Sequence, residues 1–107
     1  MTTFDKRKQG FEAAFALEEE LRFKAFARRN RKLGLWAAEK LGITGEAADT
    51  YATEVVMADL TEEGDDDVFR KVRGDFDTKG VDVSDHQLRR NMDELLAQEV
   101  LAVRSGA

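Results

Sequence analysis

The sequence predicts an all-α fold, a compact four-helix bundle with a flexible N-terminal arm, and three observations predict it. Proline is absent from all 107 residues, which leaves helix interiors unbroken and removes a residue on which all-β turns rely. Apolar residues recur at three- and four-residue steps in four separate stretches, the spacing of one helix face. The eight glycines fall mostly between those stretches, where helices end. The length suits one domain. With 42% apolar and 36% charged residues, the chain keeps a foldable pattern beneath a heavily charged surface.

The first segment is long and ends near Leu41-Gly42, with Gly42 suited to the left-handed position that closes a helix. Within it Phe23, Phe26, Ala27, Leu33, Gly34, Ala37 and Leu41 are expected to line the core face. Asn30 falls on the same face, as a core-edge residue needing a hydrogen-bond partner. Thr44 is the expected N-cap of the second segment, with Glu46 at the positive end of its dipole. Ala48, Tyr51, Ala52, Val55, Val56 and Ala58 form its apolar stripe, and Gly64 stops it. A third, shorter helix follows Asp65-Asp66-Asp67 and uses Val68, Phe69, Val72 and Phe76. Gly74 inside it costs about 1 kcal/mol relative to alanine. The fourth start has the fullest local signature: Ser84 and Gln87 form a capping box, and Val83 with Leu88 a hydrophobic staple. Leu88, Met92, Leu95, Leu96, Ala102 and Val103 continue that stripe to the end. Short connections imply antiparallel neighbours in a bundle.

Residues before about 20 differ. Phe4, Phe11 and Phe15 share a face, but that face is rotated from the later stripe and interrupted by Lys6, Arg7 and Lys8. A segment this short does not hold a helix alone in water. Residues 1–19 are therefore expected to form a mobile arm that becomes helical on docking, and residues 20–107 the bundle. The plainer alternative is that the first helix simply runs on and buries these phenylalanines.

Residue chemistry points away from catalysis. Without cysteine there is no disulfide, zinc–thiolate site or thiol nucleophile. His86 is the only histidine and belongs on the solvent side of the fourth helix, so no base and orienter pair serves a serine; Ser84 reads as a cap. Asp75-Phe76-Asp77-Thr78-Lys79-Gly80 has the start of a calcium loop, but Lys79, Asp82 and His86 break the pattern where ligands or an apolar residue belong. A helix end followed by a turn is expected there. The Asp65–Asp67 run reads as a solvated acidic helix start, and Glu62-Glu63 as an exposed acidic stretch. No metal site, glycine-rich phosphate loop, signal peptide or membrane span is expected. The expected protein is not an enzyme and lies in the cytoplasm.

Charge is distributed in blocks. Arg22, Lys24, Arg28, Arg29, Arg31 and Lys32 follow one another without an intervening acid, on the half of the helix opposite the apolar stripe. Residues 43–67 carry nine acids and no base. The first two helices should therefore attract one another, and the basic face is also a candidate surface for an acidic protein, a nucleotide or another anion. Nucleic acid is not expected, because the phenylalanines face the core and the net charge of −5 repels phosphate.

The run Phe23-Lys24-Ala25-Phe26-Ala27-Arg28-Arg29-Asn30-Arg31-Lys32-Leu33-Gly34-Leu35-Trp36-Ala37-Ala38-Glu39-Lys40-Leu41-Gly42 resembles the signature block of the zeta-type inhibitor subunit family of alphaproteobacterial ATP synthases. Tyr51-Ala52-Thr53-Glu54-Val55-Val56 and Gly64-Asp65-Asp66-Asp67-Val68 extend the resemblance over nearly the whole chain. It implies a four-helix bundle with an N-terminal inhibitory region that enters a catalytic interface of the rotary ATPase head and blocks hydrolysis. Carried over by position, the partner-binding residues would include Phe4, Lys6, Arg7, Lys8, Phe11 and Phe15, and the candidate surface extends to Arg22, Arg28 and Arg29. The resemblance implies no cofactor and leaves weak nucleotide binding open. The alternative function is a small helical binding or sensor domain for a nucleotide or other anionic ligand.

Overall fold

The computed structural model describes residues 3–58 and 65–106, with side chains from Glu18 onward. Four helices follow in order: α1 (Thr3–Leu41), α2 (Glu46–Ala58), α3 (Asp66–Lys79) and α4 (Asp85–Arg104). Among the described residues there is no strand. The α1 backbone is helical from Thr3; the expected arm residues Phe4, Lys6, Arg7, Lys8, Phe11 and Phe15 have side chains outside what is described, as do Glu62, Glu63 and Gly64 as a whole.

Two of the helix ends share one device. At the end of α1, Gly42 turns to φ +76°, its N–H donates to the Glu39 carbonyl, and the Ile43 N–H reaches back to Ala38. At the end of α3, Gly80 sits at φ +69°, with Val81 donating to Phe76. This double closure needs a left-handed residue that glycine adopts without steric cost. In each case the next residue, Ile43 or Val81, folds back onto the core. Asp75–Gly80 is thus a helix end and a turn, as the spacing predicts. The α4 capping box is also present: the Ser84 hydroxyl accepts from the Gln87 backbone N–H, and the Gln87 side-chain Oε1 accepts from the Ser84 backbone N–H. The second start differs from expectation. Helix α2 begins at Glu46, and the carbonyl that accepts its first N–H groups belongs to Gly45, so Thr44 stands one place too early to cap it.

The core joins Leu33, Ala37 and Ala38 of α1 to Tyr51 and Val55 of α2, Val68, Val72 and Phe76 of α3, and Leu88 and Met92 of α4. Trp36 meets Phe76 edge to face, with ring centroids 5.7 Å apart, a favoured aromatic arrangement. The α1 and α2 backbones approach closely at Gly34, where a Cβ would stand 2.6 Å from the Ala52 Cα. Only a residue without a side chain lets the two helices cross there.

The predicted core face of α1 needs correction at its N-terminal half. Phe23 is 66% exposed, while Ala25 and Arg29 are buried; Asn30 is buried on the core face as its position predicts. Hydropathy placed the phenylalanine inside and the arginine outside. The packing reverses them because a carboxylate from the start of α3 meets the arginine in the interior.

Candidate functional site

Arg29 is the organising residue of this half of the bundle. Its side chain is fully buried, which is costly for a charge unless it is paired and hydrogen-bonded. The pairing is thorough. Its Nη2 donates to Asp65 Oδ1 at 2.5 Å and its Nη1 to Asp65 Oδ2 at 3.4 Å. Nη1 also reaches the Met92 carbonyl of α4 at 3.3 Å, and Nε donates to Asn30 Oδ1 at 2.8 Å. One guanidinium therefore ties α1 to the start of α3 and to the main chain of α4. Asp65 flanks α3 without a side-chain bond to the helix end, because its carboxylate is turned to Arg29.

The other acids of that run are likewise matched to arginines, Asp66 with Arg89 at 3.1 Å and Asp67 with Arg70. Arg89 also stacks 3.9 Å from the Phe69 ring centre. The run is an acidic helix start, as the sequence suggests, with Asp66 exposed and Asp65 and Asp67 more covered, and each of the three is also paired with an arginine. Among the described residues, no group of three or more His, Cys, Asp or Glu side chains is placed to hold a metal ion.

The basic face between Arg22 and Lys32 is largely engaged within the fold. Arg28 and Lys32 both pair with Glu99 of α4, a buried acid that the apolar stripe did not reveal. Arg31 pairs with Asp49 of α2 at 3.3 Å, fulfilling the expected attraction between the first two helices. The expectation that Arg29 faces a partner is corrected: its guanidinium lies inside, beneath the surface it was assigned to. Arg22 remains exposed, its guanidinium carbon 5.6 Å from the Phe26 ring centre; Arg29 approaches the same ring at 5.2 Å. Both distances suit cation–π attraction.

Where α1 runs beside the end of α4, the helices leave an open groove of about 230 Å3. Its floor is Leu21, Ala25, Phe26, Val100 and Val103, and its rim carries Glu18, Glu19, Arg22 and Arg104. Arg104 and Glu18 pair across it at 3.3 Å. The groove begins at the last residues of the predicted arm, Glu18 and Glu19, and continues along the part of α1 that follows. Sequence reasoning missed it: Phe26 and Val103 were assigned to the core stripes, and Leu21, Ala25 and Val100 to neither stripe, so nothing brought the five together.

On the α2–α3 side, Tyr51 donates to Asp75 Oδ2 at 2.8 Å. Lys71 sits between Asp75 and Glu54, at 3.0 and 3.2 Å. Burial pushes the Tyr51 hydroxyl well above its ordinary range, and the Asp75 hydrogen bond with the Asp75 and Glu54 charges adds to this. For Lys71 burial acts downward, but the hydrogen bonds and charges of Asp75 and Glu54 outweigh it and hold the ammonium above its usual value. His86 is exposed. No described helix is long and apolar enough to cross a membrane.

These features define a class: a small all-α bundle whose charged groups brace its helices against one another and whose groove lies at one end. The sequence model of the family described as ATPase inhibitor subunit zeta matches residues 1–101, and the chain belongs to that family. Among solved structures, one determined by solution NMR is 42% identical and superposes with a TM-score of 0.70, covering 81% of this chain and 99% of its own. No curated protein matches.

Proposed function

We propose that the chain inhibits ATP hydrolysis by the rotary head of the ATP synthase, inserting residues 1–19 at a catalytic interface while the four-helix bundle anchors them. The observation that carries this reading is the family match, which starts at residue 1 and runs to 101, so that it spans the N-terminal segment and the bundle together. The composition of the segment supports it. Phe4, Phe11 and Phe15 would each contribute about 1.5–3 kcal/mol if fully buried by a partner, offsetting the conformational entropy lost by the side chains that dock. Lys6, Arg7 and Lys8 would meet acidic groups there. The protein would act in the cytoplasm, peripheral to the membrane-bound enzyme, without a cofactor.

The test is ATP hydrolysis by the isolated head, titrated with the full chain, with residues 20–107, and with a Phe11→Ser, Phe15→Ser double variant. The full chain should inhibit, the truncated chain should not, and the double variant should be markedly weaker. Circular dichroism should show the bundle helical in all three. Unchanged hydrolysis with the full chain over a wide concentration range overturns the function; an equally potent truncated chain overturns the arm mechanism.

A further inference from the structure

Helix α4 runs antiparallel to α1, its Met92 carbonyl at Arg29 and its Arg104 guanidinium at Glu18. The end of α4 is closed in its own right: the Ser105 N–H donates to the Leu101 carbonyl and the Gly106 N–H to that of Val103, with Gly106 at φ +83°. Val103 and Ala25, which line the groove from opposite helices, are both buried. Above them Arg104 reaches Glu18 at 3.3 Å, a contact between residues 86 apart in sequence. Helix α4 stops at this level. The α1 backbone does not, and continues as helix through residues 17 to 3, about 22 Å further at 1.5 Å per residue. The long axis of the molecule, 63 Å against 24 and 22 Å across, reflects that continuation.

We propose that the last turn of α4 is a collar on the root of α1, and that its Glu18–Arg104 pair sets how much of residues 3–17 is helical in the free protein. The reason lies in how helices grow. A first turn is unfavourable by roughly a thousandfold, whereas each residue added to an existing turn is close to neutral. Residues 3–17 need no first turn of their own, because the bundle holds α1 helical at Ala25 and beyond. Gly10 keeps their propagation marginal, since glycine is a poor helix former. Conformations in which the helix extends past Glu18 keep the pair, and those frayed before it lose it. The pair therefore multiplies the weight of the whole extended set by its own equilibrium constant, up to about fivefold for an exposed pair. The C-terminal turn thus acts on the N-terminal segment without touching residues 3–17. The proposal concerns the chain alone and does not depend on what residues 1–19 bind. For any target that takes the segment as a helix, apparent affinity rises in proportion to the helical population.

The experiment reads Cα chemical shifts and amide exchange of residues 3–17 in the full chain by NMR, at low salt. Arg104→Gln should lower the ratio of helical to non-helical forms there by about two- to fivefold. In a Glu18→Gln background the same change should have no effect, because the pair is already broken. Arg90→Gln removes the Arg90–Glu94 pair of the same helix and should leave residues 3–17 as in the wild type. Leu33, Val72 and Leu88, all in the core, should keep their amide protection in every variant. Unchanged shifts in Arg104→Gln, an equal loss in the Glu18→Gln background, or an equal loss in Arg90→Gln overturns the proposal. So does a wild type whose residues 3–17 show no helical shifts. A wild type that fails to inhibit ATP hydrolysis overturns the proposed function and leaves these measurements to decide the collar.

Discussion

Alanine at Gly34 and alanine at Gly74 are the same chemical change in two helices, and the structure predicts opposite outcomes. In an exposed helix interior, glycine to alanine gains about 1 kcal/mol through backbone entropy. Gly74 fits that case: nothing lies within 4 Å of a Cβ placed on it. At Gly34 the added carbon would stand 2.6 Å from the Ala52 Cα, and 3.2 Å from both the Ala52 Cβ and the Val55 Cγ2. Carbon atoms pack best at about 3.5–4.0 Å, so α1 and α2 would have to separate by roughly 1 Å along their crossing. The nearest atom is backbone, so no rotamer change relieves the clash. Overpacking of this kind costs about 1–3 kcal/mol, and separation also loosens Leu33, Ala37 and Val55, all buried in the core. A net loss of up to about 2 kcal/mol is expected for Gly34→Ala after the propensity gain. Urea titrations followed by circular dichroism at the helical band give the two stabilities. For a chain of this size each kcal/mol moves Tm by about 4–8 °C, so melting curves should shift visibly in opposite directions. Equal shifts, or a Gly34→Ala variant more stable than the wild type, would refute the close crossing.

Three further outcomes follow from the charged and capping contacts. Asp65→Ala strands the buried Arg29 guanidinium and should cost up to about 3 kcal/mol, the lower end for a broken buried pair because Asp65 is partly exposed; adding Arg29→Met should recover much of that in the same urea assay. Ser84→Ala removes the hydroxyl half of the capping box and should cost about 1 kcal/mol by thermal melting. Tyr51 and Lys71 both hold their protons more tightly folded than unfolded, so their stabilising contributions are full below about pH 10 and fade as pH rises through the folded values. Stability measured from pH 7 to 11 should fall at the alkaline end, and Tyr51→Phe should make that fall shallower; an unchanged slope would contradict the Tyr51 assignment.

What the sequence reveals here depends on how local the determining contact is. The α4 capping box is written within four residues, and the Gly42 and Gly80 closures within six, so each is legible by eye. Arg29 could not be placed that way. Its carboxylate partner is 36 residues further along and its carbonyl partner, Met92, 63 residues along. Hydropathy alone therefore put Arg29 on the surface and Phe23 in the core. Glu99 was missed for the same reason: the lysine and arginine that compensate its burial come from α1. The groove stayed hidden because Phe26 alone of Leu21, Phe26 and Val100 falls on a predicted stripe, and only the tertiary arrangement brings the three together between α1 and α4. The family motif was legible as a motif, but it did not show that its second arginine, Arg29, is architectural.

The arginine brace also has a mechanical meaning. A helix that slides along its neighbours can usually let side chains slip from one hollow to the next at small cost. At Arg29 such slippage would tear the charge-assisted bonds that a fully buried guanidinium makes to the half-buried Asp65 and to the Met92 carbonyl, leaving a buried charge unpaired, which is expensive. Tension applied along α1 from its N-terminal side would therefore be shared at once with α3 and α4, and the bundle would resist as one body. In an optical-trap experiment pulling from the N-terminal end, the wild type should yield in a single event, and Asp65→Ala should let α1 creep at lower force.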